Sequence, residues 1–295
     1  MTSQPITSRT PSGAVLFARY AYPPNELGYC GPADAAGMLR AISRDGATDG
    51  VDPVDPAHQA DPVDLAHEAD PVDLVERARD FDGAWVYLEL LAEAAGVEEP
   101  LDPRVVEAYW VGNDLLDRLD QARFERHVRA RFDAQVAGRW RSLEVTTGAA
   151  HPCAHHSFHV FEIYPWVGLL HSGSTTPVRV LDQCRIRWGT VLRIDGDEVV
   201  VRSQPLVWDG RALALGPARQ ERARWSAGGH ALAHNLRPGQ QVSLHWDWVC
   251  DVLTPAARRA LGHYTAGQLA ATNTWLASTR TTSARTTSAR TAGCR

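Results

Sequence analysis

The sequence predicts an α+β protein: a helical N-terminal domain, then a small OB-like β-barrel closed by a C-terminal helix. Three observations carry this expectation. Apolar residues recur at three- and four-residue spacing up to about residue 132, the helical period. After Gly148 the texture changes to short aromatic and β-branched runs. These runs are separated by Asp-Gly and Pro-Gly turns, which mark tight antiparallel hairpins. The expected organisation is a disordered start over 1–13, a helical domain over 14–147 with an acidic repeat linker at 50–72, a barrel domain with its closing helix over 148–277, and a disordered tail over 278–295.

In the first half, Met38, Leu39 and Ile42 close a short amphipathic segment before Gly46. Trp85, Leu88, Leu91 and Ala95 share a helical face that stops at Gly96, a residue suited to a left-handed C-terminal cap. Asp102 and Pro103 form a helix start, with the carboxylate as cap and the proline in the first turn. Between these segments Asp-Pro-Val-Asp recurs from Asp52, Asp61 and Asp70, a nine-residue period read as an expanded acidic linker. Calcium-binding nonapeptide arrays need glycines that this repeat lacks. Arg123, Arg126, Arg129 and Arg131 are read as a solvated helix face interleaved with Phe124, Val128 and Phe132.

In the second half, the run from Phe158 to Tyr164 is expected to be a strand bounded by Pro165. Cys184 to Ile194 and Glu198 to Val201 flank Asp195-Gly196-Asp197 as a hairpin. Leu206-Val207-Trp208 and Arg211 to Leu215 flank Asp209-Gly210 as another. Pro238-Gly239 turns the chain into Val242 to Trp246, and Thr254-Pro255 starts the closing helix with Leu261, Tyr264, Leu269 and Trp275.

Composition bounds the function. The chain has 295 residues, 44% hydrophobic and 22% charged, with a formal charge of -5 and no lysine. A chain of this length buries enough surface to need no disulfide staples. The acidic balance argues against nucleic acid as a partner. The longest apolar run, Phe158 to Leu170, is broken by Glu162 and Pro165 and is too short for membrane insertion. The five cysteines, Cys30, Cys153, Cys184, Cys250 and Cys294, form no CxxC pair. With no signal peptide, they point to free thiols in a cytoplasmic protein. No phosphate loop, nucleophile elbow or dinucleotide fingerprint is present.

Two groups of residues carry possible metal chemistry. The first is the cluster His151, Cys153, His155, His156 and His159, whose nitrogen and sulfur donors suit zinc or iron. A polar loop entering a strand is the alternative reading, and closed sites draw further ligands from a distant segment. The second is an order of features: Cys184-x-Ile186-x-x-Gly189-x-Val191, the Ile194 to Asp197 hairpin, a Pro-Gly turn, and a strand ending in His245 before a helix.

This order resembles the HypC/HupF family of [NiFe]-hydrogenase maturation chaperones, over roughly Val178 to Trp275. Three further motifs make the whole chain similar to an uncharacterised actinobacterial family found near hydrogenase genes: Tyr22 to Pro32, His159 to Leu170 and His245 to Asp251. The resemblance implies a small β-barrel, a thiolate at Cys184 and an imidazole at His245. Its cargo would be an iron fragment bearing carbon monoxide and cyanide. The implied partners are the hydrogenase large-subunit precursor or a HypD-like maturation protein. Gly216 to Leu236 reads as an insertion against that pattern. Trp246 and Trp248, alternating beside Asp247, are expected to form a docking surface.

The expectation is therefore a non-enzymatic maturation chaperone with a Cys184/His245 iron-fragment site. The alternatives are a metal-dependent enzyme built on Cys153, His155, His156 and His159, and a metal-free structural adaptor of a hydrogenase complex. Two thiol-and-imidazole convergences discriminate among them: Cys184 with His245, or the 151–159 cluster on one point.

Overall fold

A computed structural model describes residues 11–47, 71–137, 140 and 152–292. The Asp-Pro-Val-Asp repeat linker, up to Asp70, and His151 lie outside the described residues. The helical half contains α1 (Gly13–Glu26), α2 (Ala35–Ala47), α3 (Pro71–Arg79), α4 (Asp82–Ala95), α5 (Pro103–Trp110) and α6 (Gln121–Val136). Helix α4 ends at Gly96 in the left-handed region, as its sequence predicts. Asp102 caps α5 by accepting from the Arg104 N–H, and Pro103 opens the helix. Helix α1 runs through Pro23 and Pro24 to Glu26.

A second set of helices precedes the sheet: α7 (His156–Phe158), a π-turn over His159–Ile163, a 3₁₀ segment over Pro165–Ser172, and α8 (Thr176–Cys184). This corrects the strand expected over 158–164. Its β-branched and aromatic residues face packing partners on several sides, and that burial overrides their strand preference. Cys184 ends α8 instead of opening a strand.

The strands are β1 (Arg187–Asp195), β2 (Glu198–Ser203), β3 (Leu206–Trp208), β4 (Leu213–Leu215), β5 (Arg219–Arg224), β6 (Ser226–Ala227), β7 (His230–Ala231), β8 (Gln241–His245) and β9 (Trp248–Val252). Five of them close a barrel in the order β1-β2-β5-β9-β8. Neighbours are antiparallel except β5 with β9, which run parallel. The β1–β2 hairpin turns at Gly196, which has a positive φ, where the Asp-Gly signal placed it. The β3–β4 hairpin also forms, but as a separate two-stranded sheet. Residues 219–224, inside the segment read as an insertion, supply β5 and are integral to the barrel. Helix α9 (Pro255–Ala292) continues past residue 277, so the backbone of the expected disordered tail is helical to Ala292.

The alternation along β8 and β9 decides how the halves meet. Val242, Leu244 and Val249 face a barrel core shared with Val191, Val199 and Val201. Trp248 and Cys250 face the other way, into a core with Phe17, Tyr20, Tyr109 and Trp110 of the helical half. One hydrophobic core thus joins the helices to the outer wall of the barrel. Two polar ties reinforce it. Arg224 grips Glu26 with two hydrogen bonds, at 3.1 and 2.6 Å, while Trp248 donates to the same carboxylate at 2.9 Å. Arg19 pairs with Asp251 at 3.3 Å.

Candidate metal centre

The β1–β8 register pairs Arg187 with Leu244, which leaves the residues just before β1 beside the residue that ends β8. The turn after His245 then bonds back to the end of α8. The Trp246 N–H donates to the Gln183 carbonyl at 2.8 Å, and the Arg187 guanidinium donates to the Trp246 carbonyl. Trp246 has a positive φ. That left-handed conformation is costly for a bulky residue, and those two bonds hold it here. This geometry brings Cys184 and His245 together, the convergence the resemblance implied.

A third donor joins them. His156, at the start of α7, places a ring nitrogen with Cys184 Sγ and a ring nitrogen of His245 in one group, whose ligand atoms all lie within 4.8 Å of one another. All three residues are buried, His245 completely.

Their hydrogen bonds fix the tautomers. His245 Nδ1 sits 2.7 Å from the Tyr20 carbonyl. A carbonyl can only accept, so Nδ1 carries the proton and Nε2 holds a lone pair. That Nε2 is fully buried and has no hydrogen-bond partner. The neighbouring Cys184 carbonyl is itself an acceptor and already takes a proton from His156 Nε2 at 3.0 Å. His156 Nδ1 in turn accepts from the Tyr109 hydroxyl at 3.2 Å. His245 therefore has the arrangement typical of a metal-bound histidine, with one nitrogen anchored on a backbone carbonyl and the other left without a hydrogen-bond partner. His156 must give up Tyr109 or the Cys184 carbonyl before it can bind an ion.

Burial sets the protonation states. It pulls His245 down to about 4, against a smaller upward push from the Tyr20 bond. His156 is lowered by burial and by the adjacent His245. Both imidazoles are consequently neutral near pH 7, the ligating form. Burial pushes the Cys184 thiol up, so a bound cation is needed to stabilise its thiolate.

The remaining sequence candidates do not converge here. His159 turns toward the helical half, with Nδ1 3.2 Å from the Tyr87 hydroxyl, and burial holds it at about 3. His155 caps α7, bonding the Ser157 N–H and hydroxyl, and stacks on Tyr264. Neither His155 nor Cys153 belongs to the ligand group, so the 151–159 cluster contributes His156 alone among the described residues. The expected Trp246/Trp248 docking surface does not form either. Trp246 is 9% exposed and Trp248 is 0% exposed, under Tyr22 and the Arg224 guanidinium. Asp247 is exposed but pairs with Arg224 at 3.0 Å.

A cavity of about 430 Å³ reaches the three donors. Cys30 and Gly31 line it from the loop after α1, Phe81 from the loop before α4, and Tyr164 and Trp166 from the segment after α7. Gly31 has a positive φ, and a side-chain carbon there would lie 2.3 Å from the Phe81 ring. In the sequence Cys30 stands only as one of five scattered cysteines, and Tyr20, Tyr109 and Phe81 carry no functional signal. The local pattern of each is that of an ordinary core aromatic.

Among the described residues, no helix is long and apolar enough to cross a membrane. No curated protein and no solved structure matches the chain. One family model does, over residues 9–279, and on that match the chain belongs to DUF6390, a family of unknown function.

Proposed function

We propose that this protein is a metal-carrying accessory factor that holds a transition-metal centre on Cys184, His245 and His156. The observation that carries this reading is the unpartnered Nε2 lone pair of His245, fully buried beside the Cys184 thiol. A buried polar atom without a partner costs about 1–3 kcal/mol, and a bound cation removes that cost. One thiolate and two imidazoles suit iron, zinc or copper over magnesium or calcium, which prefer oxygen.

The hydrogenase part of the reading rests on the ordered resemblance of Cys184, Gly189, the Asp-Gly hairpin and His245 to maturation chaperones. On that reading the cargo is an iron fragment bearing carbon monoxide and cyanide, destined for a large-subunit precursor. A HypD-like maturation protein would be the other partner.

The test is anaerobic. The wild-type protein is expected to bind about one equivalent of Fe(II) or Co(II), with a thiolate-to-metal charge-transfer band. Cys184→Ala should abolish the band, and His245→Ala should weaken binding by at least the roughly 10–100-fold typical of lesser changes around metal sites. Metal bound equally by all three proteins would refute the site. Co-purification of the hydrogenase large-subunit precursor with the native protein tests the partner assignment separately.

A second reading is favoured by one feature. Three protein donors beside a cavity leave a coordination position open, as in catalytic metal sites. On that reading the centre performs hydrolytic or redox chemistry. Metal that stays bound through repeated turnover, without transfer to any acceptor, would select it.

A further inference from the structure

The donors occupy a small part of the space beside them. At about 30 Å³ for each water-sized group, an ion carrying four such groups needs on the order of 120 Å³. The cavity offers about 430 Å³, within the range of sites that enclose organic ligands. Its walls are rich in aromatic side chains, among them Tyr29, Phe81, Trp110, Tyr164, Trp166 and Trp246. Tyr29, 56% exposed, stacks on Trp246 with ring centroids 4.6 Å apart, so this wall reaches the surface.

The charge pattern narrows the occupant. No arginine is among the described residues that line the cavity. The acidic groups are Asp80 and Asp82, both exposed at its rim. A phosphate or carboxylate would find no arginine among these lining residues, whereas a flat uncharged ring finds seven aromatic side chains to pack against. At the inner end, His245 Nε2 awaits a hydrogen-bond donor.

We propose that this cavity binds an uncharged nitrogen heteroaromatic molecule of the azole type. Its ring lies among the aromatic walls and its nitrogen faces Cys184 and His245. The inner contact rests on the donor group described above: an azole N–H bonds His245 Nε2 when no metal is present, and an azole nitrogen takes the open position on a bound ion. The aromatic walls do not depend on the metal.

The probe is 4-phenylimidazole, added to the full-length protein with and without Co(II). Tryptophan fluorescence reports binding without metal, and the cobalt spectrum reports it with metal. The expected result is binding at least about ten-fold tighter than imidazole, which lacks the second ring, and phenylacetate, which is anionic. Trp166→Leu, at the half-buried end of the wall, should weaken the probe several-fold. Tyr29→Ala, at an exposed position, gives the same readout if the first variant does not fold.

Equal binding of imidazole and 4-phenylimidazole would overturn the proposal, as would phenylacetate binding as well as either. If 4-phenylimidazole binds the metal-free protein but cobalt shows no thiolate band, the cavity stands and the metal-carrier reading falls. If cobalt binds through Cys184 but neither readout responds to the probe, the proposal falls and the metal-carrier reading stands.

Discussion

The backbone N–H of Trp246 donates to the carbonyl of Gln183 at 2.8 Å, tying the residue after His245 to the residue before Cys184. Two side chains far apart in sequence are thereby held in one buried group by a main-chain bond that no substitution of the ligands themselves disturbs. The site's geometry belongs to the barrel closure, and its chemistry to the side chains placed there.

Acid should loosen this protein through its histidines. Burial lowers His155 and His245 to about 4 and His159 to about 3, while His156 is also lowered. Unfolded histidine titrates near about 6.5, so below that pH the unfolded chain binds more protons than the folded one. The stability these groups contribute is complete above about pH 6.5 and is lost as pH falls toward about 4. His245 alone accounts for on the order of 3 kcal/mol. Chemical denaturation at neutral and at mildly acid pH should show this decline, and His245→Gln should flatten it. Bound metal should protect, since it competes with the proton for Nε2.

Tyr109→Phe reports which nitrogen of His156 is available. With the proton on Nε2, directed at the Cys184 carbonyl, the Tyr109 hydroxyl occupies the Nδ1 lone pair. Removing that hydroxyl should cost about 1 kcal/mol of stability and tighten Co(II) binding several-fold. Weaker binding would show that the ion takes Nε2 and that Tyr109 orients the ring from behind.

Glu26→Gln weakens a partly buried pair of hydrogen bonds donated by Arg224. It should destabilise the protein by about 1–3 kcal/mol. Burial alone would raise the Glu26 carboxyl. Hydrogen bonds from Arg224, Trp248 and Tyr22 outweigh it and leave the group below its ordinary value. The wild-type tie is therefore present above the ordinary carboxylate pKa and fades as pH falls through the lowered one. Denaturant midpoints of the two proteins should converge in that acid range.

Gly31→Ala should destabilise the protein by about 2 kcal/mol, within the range of single substitutions that strain a packed site. The new carbon both meets the Phe81 ring and imposes a side chain on a positive φ. The same change narrows the cavity, so 4-phenylimidazole affinity should drop with the melting temperature.

Much of this architecture was legible in the residues. The helix ends at Gly96 and Asp102, the turn at Gly196 and the class of fold follow from local chemistry that tertiary packing leaves intact. The meeting of Cys184 with His245 was expected from the resemblance to the maturation chaperones, although Cys184 ends α8 and does not open a strand. His156 was visible as a possible ligand, but its approach to that pair was not. The segment after it carries Val160, Phe161 and Ile163, a composition that points to a strand, and a strand would have aimed these side chains alternately. Burial on several sides makes it a helical turn, which sends His156 toward the barrel and His159 toward Tyr87. Residues 219–224 show the same limit: Arg-Gln-Glu-Arg-Ala-Arg has no apolar face to announce a barrel strand, yet β2 pairs with it along its length.

The halves share one core, and that has a consequence for the order of events during synthesis. On the metal-carrier reading, the seat for an ion draws on residues 156, 184 and 245, with His245 anchored on the Tyr20 carbonyl. A nascent chain with only its first two hundred residues outside the ribosome carries Cys184 and His156 but neither His245 nor strands β8 and β9. On that reading, capture waits until the last barrel strands have emerged and docked.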